Sequence, residues 1–346
     1  MKRTLICLIS LIILSLGQCQ SNTWSKWFSL YQVSKVIFSI LAKVLITHDF
    51  GGEQSSEVID LRNADNVCGS FDDVDTFRQV PFGALMQKTL PVVCGGYSPP
   101  THNCVIVGKE MTTPLIDFIL PRPESGFVLI NESTLWITGA EWGEGVSNSE
   151  YITVGSDGSA QAMLGPEIPL EIFGHCMVKV DDHTFFMTGG RVYSDHTEAR
   201  TYFYDMISRT WTSGPDMNQP RAHHRCEVFR NPATNSLNMI VMGGYDYEHQ
   251  TELDSVELLD LDAGFWSWTL GPPLPLAVTY ASSVSLGDSV ISIGGEISNE
   301  EGSSDQLHEL ICTEGNGCFW ETLPQTLKYP RWGHVATLIP DDLAGC

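Results

Sequence analysis

Glycine doublets or near-doublets, each closing an apolar run, recur along this chain of 346 residues. The six sites are Gly51-Gly52, Gly95-Gly96, Gly139-Ala140, Gly189-Gly190, Gly243-Gly244 and Gly294-Gly295. They recur roughly every fifty residues, a period typical of propellers and other arrays in which each unit buries its apolar face against the next. The repeat therefore predicts one closed domain, although the length alone would suggest two.

The clearest unit, residues 173–220, contains four short runs separated by turn residues. These runs cover residues 174–180, 184–188, 201–206 and 210–212. Four short strands joined by turns predict one antiparallel blade. A tryptophan follows in the fourth run of units four, five and six (Trp211, Trp268 and Trp320). We expect it to pack between blades, with its N–H donating to a loop carbonyl.

Together these marks resemble the kelch repeat: an apolar run, a glycine doublet, a Tyr or aliphatic residue before Asp, and a spaced Trp. Two segments, Arg221-Ala222-His223-His224 and Arg331-Trp332-Gly333-His334, are similar to the Arg-x-x-His that begins the innermost strand in that family. The resemblance implies an all-β fold, a six-bladed kelch β-propeller with four-stranded antiparallel blades. Unit three departs most, with Met163 or Leu164 where the Trp is expected, but this leaves the repeat count unchanged.

The two ends of the repeat region complement each other. Unit one begins directly with its second strand, residues 43–47, and the chain finishes with a spare innermost strand, residues 334–339. We therefore expect the C-terminal strand to join the first blade and close the ring, which pairs edges that would otherwise promote aggregation. The propeller is predicted to cover residues 43–346.

The N-terminus has the composition of a secretory signal. Lys2 and Arg3 precede a short apolar stretch and a small-residue exit near Cys19, which predicts a signal peptide over residues 1–19 and a secreted, extracellular protein. Residues 20–42 form a leader of unassigned structure. Lys26 and Lys35 interrupt its apolar character and Lys43 follows directly, so we expect no membrane span after signal cleavage.

The charge balance narrows the range of partners. The chain has 19 Lys and Arg against 42 Asp and Glu, a net charge of −23, and it loses two further basic residues with the signal. Phosphate would be repelled rather than neutralised, so nucleic acid is not expected as a partner. The same charge favours a basic partner.

Eight cysteines remain after residue 19, and an even number in an exported chain suggests disulfides. Cys312 with Cys318 and Cys94 with Cys104 flank short loops, and Cys68 with Cys346 would tie the two ends of the propeller together. Cys176 and Cys226 are interpreted as unpaired core residues. Asn131-Glu132-Ser133 is a glycosylation acceptor in a turn, with Asn131 as the modified residue.

The loops that follow the glycine doublets share one face of a blade with the links between blades. These loops and the nearby strand starts carry aromatic and arginine residues, and exposed loops on a rigid scaffold commonly bind ligands. The candidate contacts for a protein or glycan ligand are Trp142, Tyr193, Tyr245, Tyr247, Arg191, Arg221 and Arg331.

No catalytic signature, metal site or cofactor motif is predicted. His175, His224 and His334 fall at equivalent places on innermost strands, but blade six separates the third from the others, so a structural role is favoured over a shared ion. The best hypothesis is a secreted binding module rather than an enzyme. One alternative is a propeller enzyme, either carbohydrate-active or a metal-dependent oxidase, with its site at the channel mouth. The other is a self-assembling extracellular matrix component.

Overall fold

The apolar runs that precede the glycine doublets form buried strands, as in Val290–Ile293, where all four side chains are buried. The computed structural model describes residues 43–47, 56–65, 68–69, 71, 78, 80–96, 102–141, 147–192, 196–297 and 302–346. The predicted signal peptide (1–19) and leader (20–42) lie outside these residues.

The strands form six antiparallel blades, five of them four-stranded and the first described by three strands. Blade 1 contains β1 (Lys43–Thr47), β2 (Glu57–Asp60) and, from the end of the chain, β29 (Val335–Ile339). Blade 2 contains β3 (Phe82–Met86), β4 (Leu90–Cys94), β5 (Asn103–Ile106) and β6 (Thr113–Asp117). Blade 3 contains β7 (Gly126–Asn131), β8 (Thr134–Thr138), β9 (Ser149–Val154) and β10 (Ala160–Leu164).

Blades 4 to 6 each add a two-stranded ribbon after the glycine doublet. Blade 4 contains β11 (Cys176–Lys179), β12 (Thr184–Thr188), β15 (Thr201–Asp205) and β16 (Thr210–Ser213), with the ribbon β13 (Arg191–Val192) and β14 (His196–Thr197). Blade 5 contains β17 (Arg225–Arg230), β18 (Leu237–Met242), β21 (Val256–Asp260) and β22 (Trp268–Leu270), with β19 (Tyr245–Asp246) and β20 (Thr251–Glu252). Blade 6 contains β23 (Ser282–Ser285), β24 (Val290–Ile293), β27 (Gln306–Thr313) and β28 (Gly317–Thr326), with β25 (Glu296–Ile297) and β26 (Gly302–Ser303). A short helix α1 (Asp341–Ala344) follows β29.

The C-terminal strand closes the ring, as predicted. β1 pairs antiparallel with β29, from Lys43 opposite Ile339 to Thr47 opposite Val335. The innermost strands β3, β7, β11, β17, β23 and β29 contact one another in a closed circle around a central channel. The six-bladed propeller fold is therefore confirmed, and unit three forms a complete blade despite its departures from the repeat.

The apolar core is divided among the blade interfaces. There are six clusters of buried side chains, and each contains residues of two adjacent blades. Neighbouring residues of one strand serve opposite interfaces: Val44 and Ile46 pack against blade 6, whereas Leu45 packs against blade 2. This alternation follows from the two-residue period of a strand, because successive side chains point to opposite faces.

The fourth-strand tryptophans form hydrogen bonds to the neighbouring blade, as the sequence predicts. The indole N–H groups of Trp211, Trp268 and Trp320 donate to the carbonyls of Glu167, Pro215 and Pro272, each at 2.9 Å. Each acceptor lies in the link that follows the preceding blade. Blade 3 lacks this tryptophan, and Met163 and Leu164 of its outer strand are 54% and 55% exposed.

The cysteines in the described part of the chain form four disulfides. The three predicted pairs, Cys68–Cys346, Cys94–Cys104 and Cys312–Cys318, are all present. The interpretation of Cys176 and Cys226 as unpaired is wrong, because they form the fourth bond. They lie fifty residues apart on the innermost strands of blades 4 and 5, which the propeller places side by side.

Candidate binding site at the channel mouth

Six equivalent residues, one per blade, surround the mouth of the channel just before the innermost strands. Their φ angles lie between 50° and 60°, in the left-handed region. Glycine adopts this conformation readily, whereas other residues are strained there. We call the set the mouth positions; its members are Val80, Glu124, Gly174, His223, Tyr280 and Gly333.

Backbone hydrogen bonds connect the mouth positions from one blade to the next. The N–H of Gly174 donates to the carbonyl of Glu124 at 2.8 Å, and that of His223 donates to Gly174 at 2.7 Å. The N–H of Tyr280 donates to His223 at 3.1 Å, and that of Gly333 donates to Tyr280 at 2.8 Å. These four hydrogen bonds link five of the six mouth positions, from Glu124 to Gly333, and hold the strained backbone.

Three of the mouth side chains meet above the channel. The His223 and Tyr280 rings stack with centroids 4.2 Å apart. The Tyr280 hydroxyl donates to Glu124 Oε1 at 3.3 Å, although Glu124 belongs to blade 3 and Tyr280 to the opposite blade 6. His223 Nε2 lies 3.0 Å from the Tyr247 hydroxyl and 3.7 Å from Glu124 Oε2.

Burial controls the protonation of this cluster. It raises the pKa of Glu124 to about 7, with a further contribution from the negative charge of Glu141. Burial, assisted by the charges of Arg191 and Arg225, lowers the pKa of His223 to about 3. Desolvation also raises the pKa of Tyr280 well above its usual value. At neutral pH the imidazole and the phenol are therefore uncharged, and the Glu124 carboxyl is close to its titration midpoint.

A second set of residues, directly after the glycine doublets, surrounds the first. Arg191, Tyr245 and Glu296 occupy this place in blades 4, 5 and 6. Each exchanges backbone hydrogen bonds with the residue that precedes a mouth position, for example Tyr245 with Ala222 at 2.8 and 3.0 Å. The doublet makes this approach possible, because a side chain on Gly244 would clash with the Ala222 carbonyl and with His224.

Together the two sets enclose an open cavity of about 610 Å³, which we call the mouth cavity. Aromatic contacts build its walls: Tyr245 lies 4.7 Å from Tyr247, and Tyr280 lies 5.1 Å from Trp332, measured between centroids. The lining residues are Arg191, Tyr245, Tyr247, Gln250, Glu252, Thr279, Tyr280, Glu296 and Trp332.

The channel below the mouth is much smaller. It holds a cavity of about 100 Å³, lined among others by His175, Arg225, His334 and the Cys176–Cys226 disulfide. Sites for organic ligands usually enclose about 300–1,000 Å³, so the mouth cavity has the size of such a site and the channel does not.

The structure brings together three of the predicted contact residues. Arg191, Tyr245 and Tyr247 all line the mouth cavity, and the Arg191 guanidinium lies over the Tyr247 ring at 3.9 Å from its centroid. Trp142 and Tyr193 lie outside the described residues.

Arg221 and Arg331 are not on the surface of this face, since both side chains are fully buried. Arg221 donates to the carbonyls of Gly243 and Ser255 and pairs with the buried Glu257 at 3.0 Å. Arg331 pairs with Glu57, also at 3.0 Å. These contacts tie the start of an innermost strand to its neighbouring strands, so neither arginine is included among the ligand contacts proposed below.

The strand-start histidines make repeated contacts between blades. His175 Nε2 lies 2.8 Å from the Thr138 hydroxyl, and His224 Nε2 lies 3.0 Å from the Thr188 hydroxyl. Both threonines directly precede the doublet of the previous blade. Within the described part of the chain, no group of three or more His, Cys, Asp or Glu side chains could hold a metal ion.

Asn131 is the last residue of β7, at the opposite end of that strand from the mouth position Glu124. It is exposed, and its side-chain oxygen accepts the Ser133 N–H at 2.8 Å. Across the described ranges, no helix has the length and apolar character needed to cross a membrane.

The sequence analysis missed Tyr280 and Trp332 as cavity residues and Glu124 as their neighbour beneath the cavity. It interpreted His223 only as part of a repeat mark. A signal was present nonetheless. Gly174 and Gly333 occupy the position before the strand-start histidine, and aligning the repeats places Glu124, His223 and Tyr280 at that same position. A polar or aromatic residue at a left-handed position where equivalent residues are glycine keeps a strained backbone, and such strain is concentrated at functional sites.

Comparison with known proteins agrees with this architecture. No known protein-family model matches the chain. The kelch-like protein terF of Aspergillus terreus is 26% identical over 132 residues, or 36% of this chain, and the match spans only 27% of that relative. A solved structure of YjhT superposes with a TM-score of 0.58 over 76% of this chain and 88% of the other, at 14% identity, which shows the fold alone.

A kelch-like propeller supports a binding or protein-interaction role in general. The four disulfides suggest an oxidising environment. The doublet repeat, the closed ring of six blades and the similarity to a kelch-like protein together support a kelch-repeat β-propeller.

Proposed function

We propose that this protein is a secreted binding module that holds a protein or glycan ligand at the mouth cavity. The observation that carries the proposal is the cavity itself, with four aromatic side chains, Arg191 and two carboxylates on a rigid backbone. Aromatic residues and arginine are the residue types that dominate binding energy at protein surfaces. The predicted signal peptide and the four disulfides support an extracellular setting.

Rigidity favours binding at this place. The cavity residues are held by the blade-to-blade hydrogen bonds of the mouth positions and by the ribbon pairs behind the doublets. The loop of blade 5 is also tied to that of blade 4, because the Tyr247 N–H donates to the buried Thr197 hydroxyl at 2.9 Å. A preorganised surface loses little conformational entropy on association, so more of the contact energy appears as affinity. Trp142 and Tyr193 are proposed to extend the same surface.

Capture experiments test the proposal. The protein without its signal would be immobilised, with disulfides intact, and exposed to a glycan array and to extracellular protein extracts. The test variant is Tyr245→Ala with Tyr247→Ala. The matched control is Phe265→Ala, which removes an aromatic side chain that is 84% exposed and lies outside the cavity.

The proposal predicts a ligand that wild type and the Phe265 variant retain and that the double variant loses by at least about tenfold in affinity. Thermal unfolding would verify that the double variant is folded. Equal capture by all three proteins would show that another surface binds the ligand.

A second candidate function, acid–base catalysis on a carbohydrate, is favoured by one observation. The Glu124 carboxyl has a pKa of about 7 and lies in contact with Tyr280 beneath the cavity. A carboxyl tuned close to neutral pH can transfer protons efficiently. Turnover in a panel of glycosides and sugars by wild type, abolished in Glu124→Gln while ligand capture is retained, would establish it. Absence of turnover throughout the panel would leave binding as the function.

A further inference from the structure

Two carboxylates in the wall of the mouth cavity lack a cation. Glu252 faces Tyr245 across the β19–β20 ribbon, and Glu296 follows the doublet of the next blade. Nearby basic residues pair with other carboxylates. His196 pairs with Glu248, His249 with Asp246 and Arg331 with Glu57. Among the residues that the structure describes, no Lys, Arg or His side chain forms a salt bridge with either carboxylate.

The fields of these two carboxylates overlap at the cavity wall. Burial, and then the charge of Glu252, raises the pKa of Glu296. Burial also raises the pKa of Tyr245, with the charges of Glu252 and Glu296 as the next causes. A cation placed between the two carboxylates would relieve this repulsion, because an opposite charge stabilises the ionised form of both.

The aromatic side chains of the cavity provide a second kind of contact for a cation. Rings of Tyr and Trp attract cations over their faces. The cavity already contains one such contact, in which the Arg191 guanidinium lies 3.9 Å from the centroid of Tyr247. Tyr280 and Trp332 line the same cavity as Glu252 and Glu296, and their rings contact each other.

We propose that the mouth cavity takes an arginine side chain from a basic segment of a protein partner, with Glu252 and Glu296 pairing its guanidinium and Tyr245, Tyr280 and Trp332 covering its faces. Two carboxylates on neighbouring blades suit the planar fork of a guanidinium, and its faces stack on aromatic rings. The net charge of −23 attracts basic segments over a longer range. This inference rests on the proposed function, because it names the chemistry of the ligand at the same site.

A titration with a defined probe tests the inference. The probe is a short peptide of alternating glycine and arginine, and its matched control carries citrulline, which keeps the shape of arginine without its charge. Both would be titrated into the disulfide-intact protein by calorimetry. We expect the arginine peptide to bind at least about tenfold more tightly than the citrulline peptide.

Two charge-matched variants separate the site from the overall charge of the protein. Glu252→Gln with Glu296→Gln should weaken arginine-peptide binding about tenfold. Glu314→Gln with Glu321→Gln removes the same charge from exposed positions on the outer hairpin of blade 6 and should change binding less than about twofold. Equal weakening by both variants, or equal binding of the two peptides, would overturn the inference.

The same variants separate this inference from the proposed function. Suppose that a captured partner is lost by the Tyr245→Ala, Tyr247→Ala variant but kept at full affinity by the Glu252→Gln, Glu296→Gln variant. The mouth cavity would then bind a ligand without using the carboxylates, and only the inference would fail. If neither variant loses the partner, both proposals fail.

Discussion

Two adjacent sets of equivalent residues at the channel differ in how far their side chains are repeated from blade to blade. The strand-start histidines, His175 and His224, make the same contact twice, each with a threonine before the doublet of the previous blade. One residue earlier lie the mouth positions, whose side chains range from none in Gly174 to the acid of Glu124 and the phenol of Tyr280. The mouth positions share one backbone conformation, but only the histidines repeat their side-chain contact.

This difference between repeated and varied side chains indicates which residues stabilise the propeller and which are available for binding. A contact that recurs from blade to blade stabilises the interface that recurs with it, and the buried pair Arg221–Glu257 belongs to this class. The mouth positions depart from glycine at a cost in backbone strain, and three of the departing side chains meet in one cluster. We infer that stability resides in the repeated set and ligand contact in the varied one.

The largest expected effect falls on the scaffold. Arg221→Ala leaves Glu257 buried without its cation and should lower the free energy of unfolding by about 3–5 kcal/mol. Arg230→Ala, which breaks an exposed pair with Asp262, is the control and should cost at most about 1 kcal/mol. Denaturant unfolding of both variants measures the difference. Similar losses in the two variants would contradict the assignment of Arg221 to the scaffold.

A pH titration of stability isolates the contribution of the Glu124 carboxyl. The pKa of Glu124 is raised from 4.5 to about 7 in the folded protein. The folded state therefore binds the proton more tightly, so this contribution is fully present below about pH 4.5 and is lost as the pH rises through about 7. The unfolding free energy of wild type relative to Glu124→Gln should fall by about 2–3 kcal/mol over that window. Subtracting the curve of the variant from that of wild type removes the pH dependence that the buried histidines contribute to both proteins. A flat difference curve would show that the Glu124 carboxyl titrates normally.

Neighbouring histidines provide the most direct contrast between the two sets. His224→Leu should cost about 1–2 kcal/mol, because the buried Thr188 hydroxyl loses its partner. His223→Gly relieves the left-handed backbone strain, which offsets the lost ring contacts, and should change stability by less than about 1 kcal/mol. The same variant should weaken ligand capture, because Tyr247 loses its hydrogen bond to the His223 ring and Tyr280 loses its stacking contact. A larger loss of stability for His223→Gly than for His224→Leu would break the comparison.

Much of the fold was predictable because each repeat carries its own local marks. The doublets, the spaced tryptophans and the spare C-terminal strand depend on short-range patterns, and the structure confirms the six blades and their closure. The Cys176–Cys226 bond was missed because its partners are neighbours only after the blades are arranged in a circle.

The site was less predictable for the same reason. Arg191, Tyr245 and Tyr247 were identified from loops that follow the doublets, but the contact between Glu124 and Tyr280 joins opposite blades. No local pattern predicts such a convergence. Likewise, a sequence does not distinguish an arginine that turns into the blade, as Arg221 does, from one that faces the cavity, as Arg191 does.

Hydrogen exchange with and without the captured ligand tests the central claim most directly. Ligand at the mouth cavity should slow exchange at residues 245–252, 279–281 and 331–333, while the outer strands 210–213 and 268–270 stay unchanged. Protection confined to the outer strands or to the opposite ends of the blades would contradict the assignment of the varied mouth positions to ligand contact.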